Sequence, residues 1–294
     1  MERGARAIAA AAAMFLATGG AALRALEWPL SPAGIAATFG TQAKGRIVSG
    51  IALAASGGQV RAAGEGELVF AAGEGIGPSG LPSALGAFVV VEHDRRMAAV
   101  YSHLASGTVD GSARALGKGE ALGASGVSGW AEGEGMLFQV YDREESRWVN
   151  PLLLLPPVAD EKPPAIRSIV LSRGGDSFVL GDAKSLRQGN YSISLIVSDP
   201  SDAAWTAGPL APYALRLSID GTQAAKGVFD VARAVGGDLC FFSDPPRPAS
   251  TLRGAEGGYV LAERLLTRGR VVFEAVAEDA AGNRRTASWT VTVE

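Results

Sequence analysis

The strongest constraint on this chain is the strict two-residue alternation of its C-terminal part. In "TASWTVTVE", Ala287, Trp289, Val291 and Val293 point one way while Ser288, Thr290, Thr292 and Glu294 point the other. "YSISLIVSD" puts Tyr191, Ile193, Leu195 and Val197 on one face, and "YALRLSIDG" does the same with Tyr213, Leu215, Leu217 and Ile219 before an Asp220-Gly221 turn. Successive side chains of a strand leave opposite faces of the sheet, so a period of two with one apolar face defines half-buried antiparallel strands. Several such strands between residues 167 and 294 predict a β-sandwich.

The preceding half is also written for strands. Glycine supplies 39 of the 294 residues, and between Trp28 and Val158 it cuts the apolar runs into short pieces. That is the pattern of turns and strands rather than of long helices. Hydrophobic residues make up 47% of the chain and charged residues 19%, enough apolar side chain for two cores of ordinary domain size. "ADEKPPA" (Ala159 to Ala165) interrupts the apolar pattern with two prolines and three charges and reads as a linker.

At the N-terminus, Arg3 and Arg6 precede an uncharged, alanine-rich run from Ala7 to Leu23, with small residues near Ala22 and Ala25 that suit cleavage. The run is short and glycine-broken for a membrane span, which needs about 20 apolar residues. The expected organisation is an export signal over 1–25, a first β domain over 26–157, a linker over 158–166 and a β-sandwich over 167–294. The expected location is the periplasm or cell envelope, with no stable membrane span after cleavage. Cys240 is the only cysteine, so an intramolecular disulfide is excluded and stability must come from the cores.

Several function classes fall away. Net charge is −3 and the basic residues are scattered singly or in pairs such as Arg95-Arg96 and Arg284-Arg285, which is no stripe for neutralising phosphates, so nucleic acid is not an expected partner. "GIGPSG" (Gly75 to Gly80) has spaced glycines but no following helix to hold a pyrophosphate, and reads as a loop between strands. "GSARALGKGE" has Gly119 where a phosphate loop needs Ser or Thr. There is no Gly-x-Ser-x-Gly elbow, and with only His93 and His103 there is no His-Glu-x-x-His helix.

The order of the remaining segments resembles a known family. "WPLSPAGIAATFG", "SGIALAASGGQVRAAGEGELVFA", "GAFVVVEHDRRMAAVYSHLASGTV", "LGKGEALGASGVSGWAEGEGMLFQVYD" and "WVNPLLLL" are similar, in this order, to the segments of LytM/lysostaphin-like zinc peptidases, which cut peptide cross-links in bacterial cell walls. The resemblance covers about Trp28 to Leu155 and implies an all-β fold of the LytM (duplicated hybrid motif) type. The ending "AVAEDAAGNRRTASWTVTV", with its turn at Asp279, Gly282 and Asn283, resembles the last hairpin of bacterial immunoglobulin-like domains.

By that resemblance, the zinc ligands would come from a His-x-Gly-x-Asp segment and from the second histidine of His-Leu-His-Phe. The matching positions here are Val48, Ala52 and Leu137, none of which carries a metal donor. The assisting histidine of the family corresponds to Gly135, and only the Tyr-x-His-Leu histidine persists, as His103. A catalytic zinc needs about three protein ligands and an open position for water, and without it nothing activates the attacking water. The expectation is a degenerate, non-catalytic relative without zinc. It would bind peptidoglycan or a cell-wall amidase or other hydrolase through a groove offering Tyr101, His103, Trp130 and Gln139. A zinc endopeptidase with displaced ligands, drawn from Glu92, His93, Asp94 and His103, is the alternative, and a purely structural envelope protein is a third.

Overall fold

A computed structural model describes residues 26–31, 34–43, 45–73, 83–94, 96–183, 185–202, 210–242 and 245–294. The expected export signal and the Gly75 to Gly80 segment lie outside the described residues. Apart from single 3-10 turns such as Pro151–Leu153, the secondary structure is β. Among the described residues the chain divides into two compact units: 26–38 with 49–159, and 39–48 with 160–202 and 210–294.

Unit 1 is built from strands β1 (Gly34–Ala37), β2 (Ile51–Ala54), β3 (Gln59–Arg61), β4 (Gly66–Ala72), β5 (Ala87–Glu92), β6 (Met97–Leu104), β7 (Ala115–Leu116), β8 (Ala121–Ala124), β9 (Gly135–Asp142) and β10 (Arg147–Val149). The antiparallel order is β9-β6-β5-β4-β7. The other edge of β9 is shared: β2 pairs with Gly135–Phe138 and β10 with Val140–Asp142, while β1 pairs with β2. A separate ribbon joins β8 to β3. Alternation places Val89 and Val91 of β5 and Phe138 and Val140 of β9 in a core where each is 0% exposed. Asp142 closes the β9–β10 hairpin from a fully buried position, where Arg96 (3.0 Å) and Arg147 (3.6 Å) compensate its charge.

Unit 2 carries two main sheets, besides the short pairing of Gln42–Ala43 with Arg46–Ile47 and the paired strands Val231–Val235, Asp238–Phe241 and Arg247–Pro248. The first orders β12 (Asp176–Val179), β11 (Ala165–Arg173), β13 (Gly189–Ser198) and β16 (Tyr259–Leu266); the second orders β18 (Arg284–Val293), β17 (Gly269–Glu278), β14 (Ala214–Ile219) and β15 (Thr222–Val228), with the short Ser185–Leu186 strand outside β18. The alternation holds. Tyr191, Ile193, Leu195 and Val197 are buried along β13, Leu215 and Leu217 along β14, and Val291 and Val293 along β18. The Asp220-Gly221 turn has positive φ at both residues (49° and 77°), the geometry that matches the twist of a two-residue hairpin.

One segment departs from the expected division. Residues 39–48, read from sequence as part of the first domain, belong to unit 2, because their anchors are there. Phe39 meets the Phe241 ring at 5.3 Å, the Gly40 carbonyl accepts a bond from the Tyr259 hydroxyl (3.2 Å), and Thr41 Oγ1 accepts one from the Ala211 N–H (3.0 Å). At Gly40 (φ 90°) a Cβ would fall 2.2 Å from the Phe229 ring, so only glycine lets that ring approach. Phe229 in turn meets Phe242 (5.0 Å), Tyr259 (5.2 Å) and Phe241 (6.1 Å). Removing a fully buried aromatic side chain leaves a cavity as well as losing transfer energy. Phe229→Ala is therefore expected to cost about 3–5 kcal/mol, measured as the fall in the denaturant midpoint of unit 2.

Candidate functional site

The candidate groove is a row of side chains set by register. Leu137 of β9 is the direct partner of Ala52 on one side and of Ser102 of β6 on the other, and Ala52 is the partner of Ala37. Directly opposed residues of antiparallel strands project from the same face. The two expected ligand positions on these strands are thus neighbours, both partly exposed. Val48, the third, lies in unit 2, where its N–H bonds the Thr41 carbonyl (2.9 Å) and its carbonyl accepts from Gly40 (2.8 Å).

His103 reaches this row through a β-bulge. Ala87 pairs with Leu104 and Val89 with Tyr101, so Ser102 and His103 together oppose the single residue Phe88. The extra residue shifts the phase of β6, which lets Tyr101 and Leu104, three positions apart, both be fully buried. His103 itself has φ 65°. Its backbone N–H donates to the Leu85 carbonyl (2.9 Å) and its Nδ1 lies 2.9 Å from the Ser128 carbonyl. A carbonyl only accepts, so Nδ1 carries the proton and Nε2 is the basic nitrogen of the neutral ring.

Ser128 was not marked by the sequence reading, yet it organises this end of the site. Its hydroxyl donates to the Leu104 carbonyl (2.6 Å) and accepts from the Ala87 N–H (2.8 Å), tying the glycine-rich loop across the β5–β6 bulge. The signal available in the sequence was a lone serine in "GVSG", beside glycines that let the loop close. At Gly86 and Gly129 a Cβ would fall within 2.2 to 2.7 Å of the opposing loop.

Gly135 has no room for a side chain. It exchanges backbone bonds with Gly126 (2.9 and 3.0 Å) and pairs with Ala54, and a Cβ on it would lie 2.0 Å from the Leu53 carbonyl oxygen. The zinc chemistry of the family does not fit the positions present: Ala52 and Leu137 hold no donor atom, and Gly135 sits where strand and loop touch backbone to backbone. Among the described residues, unit 1 contains no three His, Cys, Asp or Glu side chains with ligand atoms in reach of one another.

Two of the expected groove contacts are corrected. Tyr101 is fully buried on the opposite face, its ring 5.1 Å from Phe138 and its hydroxyl accepting from the Ala63 N–H (2.9 Å). Gln139 is 7% exposed and donates to Ser49 Oγ (2.9 Å), so it staples the segment before β2 rather than facing solvent. Trp130 is 60% exposed and neighbouring Val127 61%, both on the loop between Ser125 and β9. His93 does not join His103. Its Nδ1 meets the Glu65 carbonyl (3.1 Å) and its Nε2 the Tyr101 hydroxyl (3.3 Å), while Glu92 pairs with Arg143 (2.5 Å) and Asp94 accepts the N–H bonds of Arg96 and Met97.

The fold of unit 1 is an all-β domain of the LytM-like kind. Residues 46–151 match the model of peptidase family M23, and this part of the chain is an M23 domain of the LytM/lysostaphin-like kind, which ties the protein to cell-wall-related function. A second family model matches residues 163–294. No curated protein matches the chain. Among solved structures, the catalytic domain of the prophage-encoded M23 protein EnpA of Enterococcus faecalis is 23% identical, covering 41% of this chain and 90% of that one, with a TM-score of 0.34. A zinc-containing peptidase of Vibrio cholerae is 20% identical over 44% of this chain and 39% of its own length (TM-score 0.34). The catalytic domain of lysostaphin from Staphylococcus simulans is 20% identical over 37% and 77% (TM-score 0.29). No helix among the described residues is long and apolar enough to cross a membrane.

Two outcomes follow from this geometry. Gly135→Ala is expected to destabilise unit 1 by about 1–3 kcal/mol, read from urea unfolding, because the Leu53 carbonyl cannot move away without breaking β2–β9 pairing. Burial holds the His93 imidazole below its ordinary value of 6.5, although Asp94 pulls the other way. Its contribution to stability is present above pH 6.5 and is lost as pH falls through the lowered folded value. The Tm of the wild type should therefore drop more steeply below pH 6.5 than that of His93→Gln.

Proposed function

We propose that the M23 domain is a non-catalytic binding module that recognises peptidoglycan or regulates a cell-wall hydrolase. The observation that carries the reading is the Ala52–Leu137 pair. These residues stand side by side where the resemblance puts two zinc ligands, and neither can coordinate a metal. The register, the bulge at His103 and the loop clasped by Ser128 provide the scaffold, while the chemistry that would activate water is missing from it. A peptidase with displaced ligands would need three convergent donors, and the described part of unit 1 brings none together.

What the groove offers instead is recognition. Trp130 presents a large exposed indole beside the row ending at His103, suited to stack on a sugar face or an apolar peptide group. The sandwich of unit 2 serves in this reading as an immunoglobulin-like spacer or second contact surface. Residues 1–25 act as the export signal that delivers the protein to the periplasm or cell envelope.

The test is co-sedimentation of the protein with purified peptidoglycan sacculi, without added metal. The wild type should pellet with sacculi and not alone, and Trp130→Ala should weaken the association roughly three- to tenfold, the worth of one aromatic contact. Protein that stays in the supernatant contradicts wall binding and leaves an envelope hydrolase as the partner to assay.

A further inference from the structure

Unit 2 contains a cluster that neither the M23 resemblance nor the sandwich fold requires. Asp160 stands at the start of the segment leading into β11, Asp199 follows the last residue of β13, and Asp279 follows the last residue of β17. Each offers a carboxylate oxygen, and these oxygens all lie within 4.8 Å of one another. Asp199 is 5% exposed and Asp279 2%. Ionised carboxylates this buried are costly unless something of opposite charge compensates them. Among the described residues, no Lys or Arg is ion-paired with any of the three, and the Lys162 ammonium is taken by Asp202 (2.5 Å).

The hydrogen bonds hold the carboxylates in place without neutralising them. Asn283 donates its N–H to Asp279 Oδ1 (2.8 Å) and its Nδ2 to both Asp279 Oδ2 and the Asp160 carbonyl (2.9 Å each). Asp160 Oδ1 accepts the N–H bonds of Lys162 (3.0 Å) and Asp202 (3.1 Å). Asp199 Oδ1 is buried and has no hydrogen-bond partner among the described residues. An unpartnered buried oxygen beside two more carboxylates is an incomplete coordination shell.

We propose that Asp160, Asp199 and Asp279 form a Ca2+ site that ties the segment entering unit 2 to the strand ends of both its sheets. The donors are all oxygen, which selects a hard cation over zinc or copper. Oxygen ligands sit about 2.3–2.6 Å from Ca2+, so any two of them lie no more than about 4.6–5.2 Å apart, which oxygens within 4.8 Å of one another satisfy. Mg2+ demands near-ideal octahedral geometry at about 2.0–2.1 Å and keeps most of its water. Asp199 comes from the sheet containing β13 and Asp279 from the sheet containing β17, so the ion bridges the two layers.

Burial first, then the charges of Asp279 and Asp160, push the Asp199 carboxyl up to about 7, and burial also raises Asp279. The groups facing Asp199 are Asp160 and Asp279, with the exposed Lys162–Asp202 pair beyond them.

The experiment is thermal unfolding of the full chain, stripped with a chelator and then given roughly 1–5 mM Ca2+ or Mg2+, a range that brackets extracellular Ca2+ modules. Ca2+ at pH 7.5 should raise the Tm of the stripped protein by several degrees, with little response to Mg2+. Asp199→Asn should abolish the Ca2+ response. Stripped of metal at pH 8, this variant should unfold no earlier than the stripped wild type, since it loses a buried charge and keeps its shape. Asp202→Asn, which removes an exposed carboxylate, should keep the full response. A wild type indifferent to Ca2+, or an Asp199→Asn protein that still responds, overturns the site; an equal response to Mg2+ overturns the choice of ion.

Discussion

The register that sets Leu137 between Ala52 and Ser102 is the constraint on which unit 1 depends. A slip of one residue in β9 would turn Phe138 and Val140 out of the core and Leu137 into it. Three contacts prevent that slip. Gly135 lies so close to the Leu53 carbonyl that no other residue fits there, Gln139 grips Ser49, and the Ser102 hydroxyl donates to the Leu137 carbonyl (3.2 Å). The bulge in β6 completes the arrangement by burying both Tyr101 and Leu104 while aligning Ser102 and His103 against Phe88. The row of side chains is a consequence of backbone pairing, so its placement persists whatever residues occupy it.

That separation of scaffold from chemistry underlies the functional reading. A metal site needs specific donors, whereas the face that held them needs only the ladder bonds and the glycines. In this chain the ladder and the glycines stand, and the positions that the resemblance assigns to two donors carry Ala52 and Leu137. His103 keeps a fixed ring through the Ser128 carbonyl, and His93 is engaged in a different network with Tyr101 and Glu65. The two histidines therefore serve two local structures and build no common centre.

Much of this was legible in the residues. Alternation in "YSISLIVSD" and "TASWTVTVE" defined the strands and buried faces of the sandwich, because a period of two survives in any sheet with one wet side. Asp220-Gly221 announced its turn by residue type alone. What escaped was everything that depends on phase or distant partners. Tyr101 looked like a groove residue because "YSHL" shows no bulge, and the bulge is what takes His103 off the face that Tyr101 shares with Val89 and Phe138. Residues 39–48 carried no sign that Phe39 and Gly40 pack on Phe229, Phe241 and Tyr259, some 200 positions away in the chain. Asp160 read as part of a linker and Asp279 as part of a turn, since nothing local shows that two strand ends and an incoming segment meet.

The central claim is that the M23 domain holds no catalytic metal, and the most direct measurement is the zinc content of the purified protein after exposure to excess Zn2+ and desalting. Measuring wild type and Asp199→Asn together keeps the acidic cluster of unit 2 from being counted as a peptidase centre. The account predicts that Asp199→Asn retains no zinc. One tightly held zinc per chain in that variant, removable with a strong chelator, would contradict it and return the domain to the peptidases.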